Sequence, residues 1–187
     1  LPGPACKADD LDDLPPAGQK MGPNRYFEHI QKQGQWKQAI QAYLASIHFA
    51  DAMLGRVLDA LDNSPHRDNT IVVLWSDHGW HLGEKQHWQK YTGWRVCTRV
   101  PLIIRVPGGK AGAVCDQPVS LTGLFQTLTD LCGLPTSENT GSQSLVPLLQ
   151  NPDAPWPHAA ITQLSTPDEF TVSTRHWRYI HYRNGDE

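Results

Sequence analysis

Ile71 to Trp75 is an unbroken apolar run led by β-branched residues, entered from the polar pair Asp68-Asn69 and left through Ser76-Asp77-His78-Gly79. A run of this length without polar alternation predicts a strand buried on both faces. Its polar residues are concentrated at one end, and Gly79 follows where a sharp turn needs no Cβ. In open α/β sheets ligands collect beyond the carboxyl ends of strands, so Asp77 and His78 stand where a metal or substrate would be met. A carboxylate oxygen and an imidazole nitrogen are both divalent-metal ligands, though two adjacent ligands make only part of a shell. The alternative is that Asp77 caps its own turn and His78 is a surface histidine. Lys90, a dozen residues on, follows a glycine-bearing turn that can fold its ammonium back over the strand end, as a doubly charged oxyanion would require.

The flanking sequence predicts an α/β fold. From Gln35, apolar residues Trp36, Ile40, Tyr43, Leu44, Ile47, Ala50, Leu54, Val57, Leu58 and Leu61 recur at helical spacing, and Asn63-Ser64-Pro65 ends the run. A long helix, a polar turn and a buried strand read as one arm of a βαβ crossover. His48, Asp51 and Arg56 are expected to pack that helix on the sheet. Leu102 to Val106 predicts a second buried strand, and Ser120 is expected to cap a helix through Leu131 that Gly133 and Pro135 stop. Thr136 to Pro157 reads as loop with one short helix around Leu145 to Leu149. Beyond it, Ala159 to Leu164, Phe170 to Thr174 and Trp177 to Tyr182 predict an antiparallel sheet, with His176, Arg178 and His181 as its polar face. The division is thus 1–157, an α/β unit, and 158–187, a small antiparallel subdomain expected to be incomplete. Leu1 to Gly22 reads as an extended surface loop whose Asp9, Asp10, Asp12 and Asp13 form a solvated face.

The 187 residues are 39% hydrophobic and 19% charged, with a net charge of -3 and no long block of either sign. That composition is globular and gives no case for nucleic-acid or membrane-surface binding. No apolar run approaches the roughly 20 residues of a spanning helix, and Leu1-Pro2-Gly3-Pro4 is not a signal peptide. The chain begins without methionine in what reads as mid-loop and stops in what reads as mid-hairpin, so it is expected to be a fragment. Cys6, Cys97, Cys115 and Cys132 show neither a Cys-x-x-Cys pair nor zinc spacing; Cys97 and Cys132 read as small core hydrophobes. From His81 to Lys110 six Lys or Arg face one acid, Glu84, giving a locally positive field.

Taken together, Ser76-Asp77-His78-Gly79-Trp80, Leu82-Gly83-Glu84, Trp88, Lys90 and Thr98-Arg99-Val100-Pro101-Leu102-Ile103 resemble the C-terminal half of the sulfatase family, closest to the branch containing iduronate-2-sulfatase. Tyr43 to Leu61, Val119 to Pro135 and Gly141 to Leu149 are similar to further segments of that family. The resemblance implies a sulfuric ester hydrolase acting on a sulfated sugar, exported to the periplasm or secreted, with a divalent cation, Ca²⁺ by family habit, held in part by Asp77 and His78. It also implies that Lys90 contacts the sulfate. Lys85 and His87 match relatives reading Gly-Glu-Lys-x-His-Trp-x-Lys, which makes His87 a second catalytic candidate. The family nucleophile is a formylglycine made from a Cys or Ser in a Cys-x-Pro-x-Arg type sequence. None of the four cysteines fits it, so that residue is expected upstream. His81 reads either as lining a sugar subsite or as a surface histidine. Arg99 is expected to pair with a carboxylate, and Trp80, Trp88 and Trp94 read as core rather than sugar platform. Two alternatives stay open: a phosphonate monoester or phosphodiester hydrolase of the same superfamily, and a non-catalytic relative that binds metal or sulfated glycan.

Overall fold

The apolar stripe that begins at Trp36 folds into a single 27-residue helix in the computed structural model, which describes residues 6–135 and 141–187. Three helices cover the N-terminal third: α1 (Pro16–Gln19), α2 (Arg25–Lys32) and α3 (Trp36–Asp62). Asn24 starts α2, its Oδ1 accepting the Phe27 N–H at 2.9 Å as an N-cap does. The expected extended loop up to Gly22 is therefore a run of turns with a short helix in it, and residues 1–5 of that expectation lie outside the described residues. The start of α3 is anchored by aromatic edges: Trp36 meets Phe27 and Trp88 at ring-centroid distances of 5.6 and 5.5 Å.

After α3 come β1 (Val72–Trp75), the hairpin β2 (His81–Leu82) and β3 (Trp88–Gln89), the single-turn α4 (Arg95–Thr98), and β4 (Leu102–Arg105). β1 pairs antiparallel with β4, from Val72 opposite Arg105 to Trp75 opposite Leu102. No other strand joins this ladder among the described residues. Two expectations are corrected by this. β1 has no parallel partner here, so a βαβ crossover is not completed within the described residues. Nor is the strand buried on both faces: Trp75 is 50% and Ile103 59% exposed, because a two-stranded ladder leaves a face and both outer edges uncovered. α3 shows the same feature. Only Ile40 of its stripe is buried, Ile47 and Val57 are exposed, and so are His48, Asp51 and Arg56, which pack on no sheet here.

α5 (Gly123–Leu131) and α6 (Val146–Gln150) form a second small core with Leu124, Leu145 and Leu148 buried. The Thr127 hydroxyl, fully buried, donates to Gly123 O at 2.6 Å and accepts the Leu145 N–H at 2.8 Å, locking the loop onto the helix. The α5 N-cap is Thr122 rather than Ser120, whose hydroxyl bonds the Thr122 hydroxyl instead. Cys97 is buried as expected, but Cys132 lies at the C-cap of α5, past the last helical residue, and is exposed. The loop expected from Thr136 lies outside the described residues over 136–140. Downstream, β5 (Ala160–Gln163), β6 (Phe170–Ser173) and β7 (Arg178–His181) form the expected antiparallel sheet in the order β5-β6-β7.

Candidate active site

β1 ends at Trp75, and the next four residues form a turn fixed by its own polar atoms. The Ser76 hydroxyl donates to His78 O at 2.8 Å, and the His78 N–H donates to Asp77 Oδ1 at 3.1 Å. The Gly79 N–H donates to Cys97 O at 2.7 Å, tying the turn to α4. A Cβ on Gly79 would collide with the Val96 carbonyl, so the close approach of these two backbones requires glycine.

His78 is positioned through its tautomer. Its Nδ1 lies 2.9 Å from Gly79 O, a partner that can only accept, so Nδ1 carries the proton and Nε2 presents its lone pair. That lone pair faces Lys90 Nζ at 2.9 Å and Asp77 Oδ2 at 3.5 Å. The structure thus brings Asp77, His78 and Lys90 together at the end of β1. The Asp77 carboxylate is 81% exposed in its side chain and open to further partners. An imidazole nitrogen and a carboxylate are a donor pair that suits a divalent cation once the Lys90 ammonium moves off the Nε2 lone pair, but they supply two groups, and no cluster of three His, Cys, Asp or Glu that could hold a metal occurs among the described residues.

Lys90 reaches this point because the β2–β3 hairpin is braced from inside and outside. Inside, His81 is fully buried (0% exposed): its Nδ1–H donates to Glu84 O at 2.9 Å and its Nε2 accepts from the Thr92 hydroxyl at 2.7 Å. Burial drives its pKa down to about 4, a shift that the Glu84 carbonyl opposes and the neighbouring His87 reinforces. His81 is thus neither a surface histidine nor the wall of a sugar subsite. His87 is 8% exposed, with Nδ1 2.8 Å from Met21 O and Nε2 3.1 Å from Lys90 O, so it touches the backbone of Lys90 and not its ammonium. Trp94 packs edge-on against both imidazoles and is core, as expected.

Outside, the N-terminal segment straps the hairpin tip. Asp10 Oδ2 accepts the Lys85 N–H at 2.7 Å, the Lys85 ammonium donates to Asp10 O at 2.6 Å and pairs with Asp10 Oδ1 at 3.1 Å, and Gln86 Nε2 donates to Ala8 O at 3.0 Å. Burial alone would raise the Asp10 carboxyl, but the Lys85 N–H and ammonium outweigh it and the net shift is downward. Asp10 is therefore not part of a solvated acidic face. On the other side Arg178, expected to be a polar-face residue of β7, turns inward: its guanidinium donates to Gly93 O, to the Thr98 hydroxyl at 2.6 Å and to the Ser173 hydroxyl at 2.8 Å. Arg99 is exposed and forms no ion pair among the described residues. Sequence reasoning missed Thr92, Asp10 and Arg178 as supports; the Gly-Glu-Lys-x-His spacing was the one available signal, and it marked Lys85 and His87 without their partners.

A sulfatase family model matches residues 11–134. The chain belongs to the sulfatase family. A sulfatase from Formosa agariphila is 40% identical over 98% of this chain, which spans 37% of that relative's length. Human iduronate 2-sulfatase is 48% identical over 119 residues, half of this chain and 22% of the human protein. Among solved structures, one in complex with its substrate D-glucosamine-2-N,6-O-disulfate superposes with a TM-score of 0.70 at 29% identity, covering 82% of this chain and 33% of that one. The phosphonate monoester hydrolase of Silicibacter pomeroyi superposes with a TM-score of 0.73 at 25% identity, covering 99% and 44%. The α/β class expected from the sequence stands. No helix among the described residues is long and apolar enough to cross a membrane.

Proposed function

We propose that this chain is the C-terminal part of an exported hydrolase that cleaves sulfate esters of carbohydrates, and that it carries half of the site. The observation supporting this is the meeting of Asp77, His78 and Lys90 at the end of β1, with Lys90 Nζ 2.9 Å from His78 Nε2. Asp77 and His78 would hold a divalent cation, Ca²⁺ in this reading, whose remaining ligands and the formylglycine nucleophile would come from sequence upstream of residue 1. Bound there, the cation would neutralise charge on the sulfate group. The chain's own residues do the rest of what can be assigned to it. Gly79 O fixes the His78 tautomer, Lys90 offers an ammonium to the sulfate oxygens and the departing sugar oxygen, and His87 holds the Lys90 carbonyl. On this reading residues 1–157 complete the α/β catalytic unit and 158–187 begin a small antiparallel subdomain. Likeness to a structure solved with a sulfated glucosamine supports a sugar as the alcohol portion.

Asp77→Asn in the full-length protein is expected to lower both sulfate release and bound divalent metal by about 10²-fold. Unchanged metal content and unchanged turnover in that variant would remove the assignment. The likeness to a phosphonate monoester hydrolase supports a second reading, in which the same strand end serves a phosphonate ester. Turnover of paired sulfate and phosphonate esters of one alcohol by the full-length protein separates the two.

A further inference from the structure

Tyr91 is large, 77% exposed, and sits next to Lys90. Its backbone has φ 74, a conformation that bulky L residues rarely adopt. Nothing in its own packing accounts for either property, but its neighbours do. On one side His87 Nε2 lies 3.1 Å from Lys90 O; on the other Thr92 is 2% exposed, its hydroxyl donating to His81 Nε2 at 2.7 Å. With both flanking residues pinned inward, the left-handed kink between them turns the Tyr91 side chain outward. The ring does not drift free there: Lys90 Nζ lies 5.2 Å from its centroid, within cation–π range, while the same ammonium lies 2.9 Å from His78 Nε2. One aromatic ring is thus held at the rim of the cluster, beside the group proposed to meet the sulfate.

We infer that Tyr91 is a substrate-binding residue, its ring serving as the surface on which the sugar of the sulfate ester rests. This deepens the carbohydrate sulfatase reading and rests on it. A sulfate engaged by Lys90 leaves its alcohol portion projecting away from the strand end, and a pyranose presents a C–H face that packs on an aromatic ring. A tyrosine also keeps a hydroxyl in water while its body covers apolar surface. A rigid ring with few rotamers is suited to this role, because little side-chain freedom is lost on binding.

The test uses the full-length protein and the O-sulfated monosaccharide or disaccharide that the wild type hydrolyses fastest in a panel of such sugars, with inorganic sulfate as a competitive inhibitor. Tyr91→Ala is expected to raise KM for the sulfated sugar about tenfold, by more than it lowers kcat, while the inhibition constant of inorganic sulfate stays within twofold. Tyr91→Phe, which keeps the ring, is expected to restore most of the lost affinity. A Tyr91→Ala variant whose KM matches the wild type overturns the inference and leaves the sulfatase reading standing. An inhibition constant for sulfate that rises in step with KM also overturns it, since the loss would then run through the placement of Lys90. A wild-type protein that turns over no sulfate ester removes the functional reading, and this inference with it.

Discussion

His81 shows at the scale of one residue how the site is prepared. Its two ring nitrogens meet one acceptor, Glu84 O, and one hydroxyl, Thr92 Oγ1, so a neutral imidazole is fully hydrogen-bonded, and full burial disfavours the charged form. With a folded pKa of about 4 against 6.5 unfolded, the unfolded chain takes up the proton first as the pH falls. Stability from this group is therefore complete above about pH 6.5 and is lost as the pH drops through about 4, a contribution of roughly 3 kcal/mol at most. Urea midpoints measured across that window should fall for the wild type, and the slope should flatten by about one proton in His81→Gln. A slope unchanged in the variant would mean that His81 does not titrate this way. Single residues were unevenly legible in the sequence. Asp77, His78 and Lys90 could be singled out because a strand end and a glycine turn leave local marks. His81 could not be placed, because full burial depends on Thr92 and Trp94 closing over it, and neither proximity is written in spacing.

The β2–β3 hairpin is the element on which these residues depend, and its supports come from distant parts of the chain. Asp10 grips Lys85 across 75 positions and Arg178 grips Gly93 across 85. Lys85→Met removes an ammonium that is 22% exposed in its side chain and leaves the Asp10 carboxylate with the backbone bond alone, so a loss of about 1–2 kcal/mol in urea denaturation is expected. Arg178→Met should loosen the segment from Gly93 to Thr98 that follows the hairpin. Gly79→Ala tests the turn itself: with the Val96 carbonyl in the path of the new methyl, backbone must move, and a destabilisation of about 1–3 kcal/mol is expected together with loss of Lys90 alignment. A Gly79→Ala protein with wild-type melting and turnover would show that the close approach is dispensable. α3, α5 and the three C-terminal strands were readable because each repeats a local period. The strap was not, because acidic residues in a proline-rich stretch carry the same sequence signal whether they face water or a lysine.

For the whole molecule, the uncovered faces of α3 and of the β1–β4 ladder are the largest departure from what the apolar patterns led one to expect. Large side chains such as Ile47, Phe49, Val57 and Trp75 lie exposed, a surface of the kind that binds partners or aggregates. The chain spans 37% of the length of its Formosa agariphila relative, and sequence upstream of residue 1 is the natural cover in the reading proposed above. The 187-residue chain alone should therefore bind ANS strongly and self-associate, and the full-length protein should do neither; an isolated chain that is monodisperse and silent to ANS would count against that reading. The strand patterns were legible as apolar, but burial is a property of the neighbours and not of the strand. Positive φ at non-glycine residues is confined, among the described residues, to Lys85, Gln86, Gln89 and Tyr91, all within one seven-residue span. In a saturation mutagenesis scan read for stability, each of these positions should tolerate asparagine and glycine better than valine and isoleucine, in addition to whatever its own side chain contributes. Inheritance of the hairpin would then be constrained by the path of its main chain as much as by the chemistry it displays.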